Sequence, residues 1–482
     1  MNYQAEFSFS CNHNWGSFMR FYPQFFDFFV SILFAISLNS VVAFDQVSAG
    51  SPFIDGDNVA LLGDRSTRLG LWHRYVAEFY ATRFPQRTVS FVVCSHFEQM
   101  HLIADRLQME YFGVKPTVAV FSFGLTGCEF LFQNSLRPDR LQLDRRDDML
   151  AKYKIGLEFI ARRVKDGQVK RLILTTPFAY DNSPVNPAES FPGLNEALAA
   201  CGHNVFLLAR RLQAGLVDVH GPMSALLKEA ENLKSYSGII ELNRSTPTPA
   251  GHLIMAWIFL KSQGVPGFIS RISLHVKYQT TTRCRGVKIQ GIKWNSSGFE
   301  GTVLEECLPW PLDPDAQSAL VWAPGIQDLN QQEFVCGGLD PGKYDLMIDD
   351  VQIGTWNANE LENGINISAI RSTPQCLQAK AVQRLCEERL AIILSLLNLR
   401  EVEGIWFGNR VDLGNEKEWT SALEKFVAAN GGQERYRAMA AQYRTVKSQE
   451  VGLIKLFREL SDHIREAAQP VPHTYKLIRQ GE

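Results

Sequence analysis

The chain has 482 residues, 45% hydrophobic and 21% charged, which excludes a disordered polymer and supplies apolar material for more than one packed unit. A formal net charge of −2 and a pI near 6.6 exclude the electrostatic footprint of a nucleic-acid or anionic-membrane binder. Nine cysteines occur without a C-x-x-C pair or a His/Cys cluster at zinc spacing, so neither a structural metal nor a cofactor is expected.

Residues 28–38 are an apolar run of signal-peptide length, with Arg20 before it and Val41-Val42-Ala43 after it. A bilayer span wants roughly 20 apolar residues. Residues 1–43 are therefore expected to be a cleaved secretory signal, with an uncleaved anchor as the alternative, and the mature protein to be periplasmic, secreted or on the cell surface. Cys11 would leave with the signal. Cys94, Cys128 and Cys201 fall in elements expected to be buried, while Cys284, Cys307, Cys336, Cys376 and Cys386 crowd the later part and are expected to be able to pair.

Apolar runs at 59–62, 89–93, 118–123, 172–175 and 216–219 alternate with segments at 72–84, 149–163, 194–213 and 223–234 whose apolar positions recur at three and four. That alternation predicts a parallel sheet covered by helices on both faces, a flavodoxin-like three-layer α/β/α domain with its ligand cleft outside the carboxyl ends of the strands. The pattern then changes. Alternating stretches at 272–278, 287–294 and 334–355, with the turn sequence Leu339-Asp340-Pro341-Gly342-Lys343, predict a small β lobe over 271–370. Helical periodicity returns at 376–399, 416–430 and 433–468, making 371–482 a helical C-terminal region. Leu453, Phe457, Leu460 and Ile464 form one apolar stripe, which fits a helix packed on its own protein; a partner-binding or dimerising helix is the alternative.

The motifs add chemistry to this outline. Residues 242–252 read L-N-R-S-T-P-T-P-A-G-H. The segment resembles the last signature of the SGNH (GDSL-type) hydrolases, approximately D-x-x-H-P-x-P-x-G-H, whose Asp and His complete a serine-esterase triad. Asn243 and Thr246 stand at those two places. Residues 59–62 lead into Gly63-Asp64-Arg65, which resembles the family's G-D-S block with Arg65 at the nucleophile. Gly124-Leu125-Thr126-Gly127 follows the third strand where the family has G-x-N-D, and Thr126 replaces the oxyanion-binding Asn. No glycine stands between 91 and 112 to supply the second oxyanion N–H; Cys94, Ser95 and Phe97 occupy that neighbourhood.

The resemblance spans residues 53–270. It implies the α/β/α fold, a meeting of Arg65, Thr126, Asn243 and Thr246 at one end of the sheet, and lost catalysis. A hydroxyl nucleophile is weak until a neighbouring base takes its proton, and Thr246 cannot do so at neutral pH. The expectation is an exported pseudoenzyme with a binding or scaffold role, its cleft suited to carbohydrate or another small molecule, as the family's frequent sugar-ester substrates suggest. An active ester hydrolase, acting on sugar or lipid esters through a non-family nucleophile, the fallback Ser66 or a cysteine, is the alternative. Ser66 better fits a residue that begins a helix, and His252 a structural neighbour of the lost base.

Overall fold

Among the described residues, the computed structural model builds its first layer set from β1 (Asn58–Gly63), α1 (Arg65–Leu69), α2 (Leu71–Arg83), β2 (Ser90–Ser95), β3 (Val118–Ser122), α3 (Arg140–Asp166), β4 (Arg171–Thr175), α4 (Leu194–Leu212), β5 (Gly215–Val217), α5 (His220–Asn232) and α6 (Pro249–Ser262). The structure describes residues 49–95, 115–124, 140–166, 169–188, 190–191, 193–295, 298–407 and 411–481. The expected signal at 1–43, Thr126 and Cys128 lie outside them, as do the side chains of Arg65 and Cys94. All strand pairs are parallel, in the order β2-β1-β3-β4-β5. This is the flavodoxin-like order, and its switch point lies between β1 and β3. Val59, Leu61, Val118, Val120 and Ile173 are buried, since helices cover both faces, and the strands therefore read as continuous apolar runs.

The later chain supplies β6 (Phe268–His275), β7 (Thr280–Thr281), β8 (Val287–Asn295), β9 (Gly298–Glu305), α7 (Ala319–Trp322), β10 (Gln331–Gly337), β11 (Lys343–Ile348), β12 (Val351–Asn357), α8 (Ala358–Asn363) and β13 (Ile365–Asn366). It closes with α9 (Pro374–Val402), α10 (Glu416–Ala429), α11 (Glu434–Ala467) and β14 (His473–Arg479). Two lobe sheets result, β13-β10-β6-β7 and β12-β11-β14-β9-β8. Their inward residues, among them Ile272, Phe334, Phe299, Tyr344, Leu346 and Tyr475, share one core.

The C-terminal region is thus helical up to residue 467 and then returns as a strand between β11 and β9. Phe457, Leu460 and Ile464 of α11 are buried, and α11 packs along α9, so the apolar stripe is occupied by the protein itself. In turn α9 lies on α2, where Arg74 pairs with Glu387 at 2.9 Å. No helix of the described residues is long and apolar enough to cross a membrane.

The expected pairing of the later cysteines is not what the structure shows. Cys284, Cys307, Cys336, Cys376 and Cys386 are free thiols. Each faces its own surroundings. The thiol of Cys284 donates to the Ser273 carbonyl and that of Cys376 to the Ser368 carbonyl, while Cys336 sits in the lobe core, where burial pushes its thiol up to about 12.

Candidate functional site at the carboxyl edge of the parallel sheet

The chain leaves β1 at the switch point through Gly63 and Asp64. A side chain at Gly63 has no room, because its Cβ would lie 2.0 Å from Thr67 Oγ1 and 2.5 Å from the Ser122 carbonyl oxygen. Asp64, 3% exposed, turns inward and caps α1. Its Oδ1 accepts from Ser66 N at 3.1 Å and Ser66 Oγ at 2.8 Å, and its Oδ2 accepts from Gly124 N at 3.1 Å. One carboxylate therefore ties the end of β1 to the end of β3. Arg65, at the family's nucleophile position, is the first residue of α1. Ser66 is buried, and its hydroxyl is spent on Asp64 rather than on an imidazole.

Among the described residues His73, His220 and His252 are buried or partly buried imidazoles of the α/β/α part, and none of them is hydrogen-bonded to Ser66. His73 of α2 bonds the Thr67 carbonyl through Nε2 at 2.9 Å; burial holds its pKa down at about 4, the Thr67 bond opposing and the Arg74 charge adding to the fall. His252 is fully buried with both ring nitrogens unpartnered, and burial, then the His73 and Arg74 charges, lower it to about 3. His220, the first residue of α5, is lowered by burial against the pull of Asp218. Among the described residues no histidine is hydrogen-bonded to a serine or cysteine.

Asn243 and Thr246 lie in the turn before α6. Asn243 Oδ1 accepts from the backbone N–H groups of Ser245 and Thr246, each at 3.0 Å, and its Nδ2 donates to Thr246 Oγ1 at 2.9 Å and Glu241 Oε2 at 3.2 Å. The two family positions meet each other, but no hydrogen bond of either reaches Ser66. The flanking motif keeps a structural role. Thr248 Oγ1 caps α6 by accepting from Gly251 N at 3.2 Å, Pro249 opens the helix, and a Cβ at Gly251 would come within 2.1 Å of the Ile239 carbonyl oxygen.

Arg244 is the residue of this segment that sequence reasoning passed over. Its φ is +66°, and its buried guanidinium donates to the carbonyls of Asp181 at 2.7 Å, Ser183 at 2.9 Å, Asn186 at 2.7 Å and Ala188 at 3.0 Å. The loop after β4 is pinned to the turn before α6. Thr176 was missed as well: its hydroxyl donates to Asp218 Oδ1 at 2.8 Å while accepting the N–H groups of Val219 and His220. The sequence signal at 244 was an arginine next to a motif position, which gives no hint of four carbonyl partners. Beyond the far end of α1, a cavity of about 250 Å³ is lined by Arg68, Asn398, Leu399, Val402 and Tyr443. Among the described residues no group of three His, Cys, Asp or Glu side chains comes together as a metal site.

No known family profile and no curated protein sequence matches the chain. Solved structures do. Over 90% of its length the chain superposes on the whole of a gut microbial diltiazem-metabolizing enzyme, with 22% identity and a TM-score of 0.79. The two share one fold that includes the parallel sheet, the β lobe and the C-terminal helices. A catalytic mutant of an acetylxylan esterase from Geobacillus stearothermophilus matches 44% of this chain over 96% of its own, with 19% identity and a TM-score of 0.36. An alpha/beta hydrolase enzyme from the metagenome of Lake Arreo, Spain, matches 44% of this chain over 97% of its own, with 21% identity and a TM-score of 0.34.

Proposed function

We propose that this chain is a catalytically silent SGNH-hydrolase-like protein whose α/β/α part serves binding or scaffolding rather than acyl transfer. The observation that carries this reading is the bond from Ser66 Oγ to Asp64 at 2.8 Å on a serine that is 5% exposed. A serine nucleophile needs an imidazole within about 3 Å and a face open to substrate. Among the described residues no imidazole bonds Ser66 and its side chain is buried, while Arg65, Asn243 and Thr246 supply no nucleophile, orienter or base. Removing the nucleophile or base of a serine-hydrolase triad costs about 10⁶ in turnover, so background rates are expected.

In the same reading residues 1–43 direct export, and a carbohydrate or other small molecule is the ligand class. The test is hydrolysis of short acyl esters and of diltiazem by the purified protein. Rates at the uncatalysed level support the proposal. Robust turnover abolished by Ser66→Ala overturns it in favour of an active ester hydrolase. Calorimetric titration with xylo-oligosaccharides addresses the ligand separately, and absence of heat removes carbohydrate from the reading while leaving catalytic silence intact. Detection of the intact N-terminus on the native protein by mass spectrometry would remove signal cleavage.

A further inference from the structure

Where the β lobe meets the first turn of α9, four elements bury polar side chains around one carboxylate. Glu305 ends β9 and is 2% exposed; Gln332 of β10, Gln375 of α9 and Tyr475 of β14 are no more than 1% exposed. Three donors converge on Glu305 Oε1: Tyr475 Oη at 2.8 Å, Gln332 Nε2 at 3.1 Å and Gln375 Nε2 at 3.3 Å. Gln375 Nε2 also donates to Tyr475 Oη at 2.8 Å. Burial, then the Glu305 charge, pushes the Tyr475 phenol well up, so it remains a donor. All three donors fall on one carboxyl oxygen and leave the other, Oε2, to the rest of the cluster.

The remaining atoms of the cluster are acceptors without partners. Glu305 Oε2, Gln332 Oε1 and Gln375 Oε1 are buried with no hydrogen bond, and so is the hydroxyl of Ser270, the cross-strand partner of Gln332 on β6. The carbonyl orientation of both amides is fixed, since each must turn its NH₂ to the carboxylate. No lysine or arginine pairs with Glu305 among the described residues. The site therefore gathers a carboxyl group and a surplus of unpartnered oxygen atoms in the buried interior, an arrangement that calls for a compensating partner.

We propose that the Glu305–Gln332–Gln375 cluster, with Ser270 beside it, binds a small alkali cation, sodium or potassium, which ties the start of α9 to the β lobe. One carboxylate with neutral oxygens matches a single positive charge. Calcium sites recruit six to eight oxygens and usually several carboxylates, and magnesium retains much of its water shell, so neither suits this set. The role is structural, and it is independent of whether the parallel-sheet site is silent.

The experiment uses the whole chain exchanged into choline chloride. Its thermal unfolding is then followed as sodium or potassium chloride replaces choline chloride at constant ionic strength. The expected result is a saturable rise in Tm with one or both alkali cations and none with choline, as mass action requires of a ligand that binds the folded state. Comparison of the two salts identifies the preferred ion. Glu305→Gln, which keeps the shape and removes the charge, should abolish the saturable rise. If that variant does not fold, Gln332→Met should weaken it. Identical Tm values for the wild type in all three salts would overturn the proposal. So would a protonated-carboxyl infrared band that Glu305→Gln removes, because a proton would then be the compensating charge.

Discussion

His252→Leu separates a packing histidine from a cryptic base. The ring of His252 titrates at an ordinary 6.5 when unfolded and is held at about 3 in the fold, chiefly by burial. At pH 5 the unfolded chain has taken up this proton and the native chain has not, so about 2 kcal/mol of stability present at pH 7.5 has gone. The sign follows from the depressed native value: the contribution is complete above about pH 6.5 and falls as the pH drops toward 3. His73, lowered to about 4, loses about 2 kcal/mol over the same window. Both native rings are still neutral at pH 5, so the two losses add. Buried Glu78 works the other way, because desolvation raises its carboxyl well above the usual range despite Arg74, and the native state keeps a proton that the unfolded state releases. The variant-minus-wild-type difference cancels that background. His252→Leu should therefore lose about 2 kcal/mol less than the wild type between pH 7.5 and pH 5. At pH 7.5 it should be more stable by about 1 kcal/mol, since two unpartnered ring nitrogens disappear from the core. Urea unfolding followed by circular dichroism at the two pH values measures both quantities. Equal acid losses in the two proteins would mean that His252 protonates freely in the fold, and the imidazole would again be a candidate base.

Three further outcomes are expected. Gly63→Ala should cost about 3 kcal/mol, because Thr67 can rotate from a new Cβ but the Ser122 carbonyl at 2.5 Å cannot; an unchanged urea midpoint would contradict this. Arg244→Lys keeps the charge but cannot reach four carbonyls, so it should cost about 3 kcal/mol and open 181–188 to limited proteolysis, whereas an unaltered digestion pattern would show the clamp to be idle. Peptide mapping of protein denatured with an alkylating agent and without reductant should find Cys307, Cys336 and Cys386 as single alkylated thiols; a disulfide-linked peptide among them is the contrary result.

The parallel sheet was legible in the sequence because strands buried on both faces must be apolar throughout, as 59–62 and 118–121 are, and the intervening helices carry their own period. Strand β14 was not. Its alternation in His473–Arg479 is clear in hindsight, with His473, Tyr475 and Leu477 buried, but its partners β9 and β11 lie more than a hundred residues away and no hairpin turn announces them. The first turns of α3, from Arg140 to Asp148, are charged and lack the apolar period that marks the helix from 149 onward. At the candidate site, the turn holding Asn243 and Thr246 could be read from its motif. The capture of Ser66 by Asp64 could not, because it depends on which way a short side chain turns at the end of β1. The cluster around Glu305 draws on four elements spread across residues 305–475, a juxtaposition that no local pattern encodes.

Within the segments that resemble the SGNH motifs, matching and differing positions divide by physical role. Gly63 remains where a Cβ would strike a backbone carbonyl, Asp64 where a carboxylate caps α1 and joins β3, Pro249 at the first position of α6, and Gly251 where only a hydrogen fits against Ile239. Each of these is needed for folding whatever the chemistry. Asn243 and Thr246, at two of the differing positions, satisfy their polar groups on one another and on the turn backbone. Ser66 cannot take over from Arg65 at no cost. One residue along a helix rotates a side chain by about 100°, which sends its hydroxyl into the cap and away from any cleft. Freeing that hydroxyl would undo part of the cap of α1, and turning Asp64 out to follow it would leave the buried Gly124 N–H without its carboxylate, a penalty of about 1–3 kcal/mol before any chemistry begins. The contacts that close the end of β1 thus also hold the Ser66 hydroxyl in the cap.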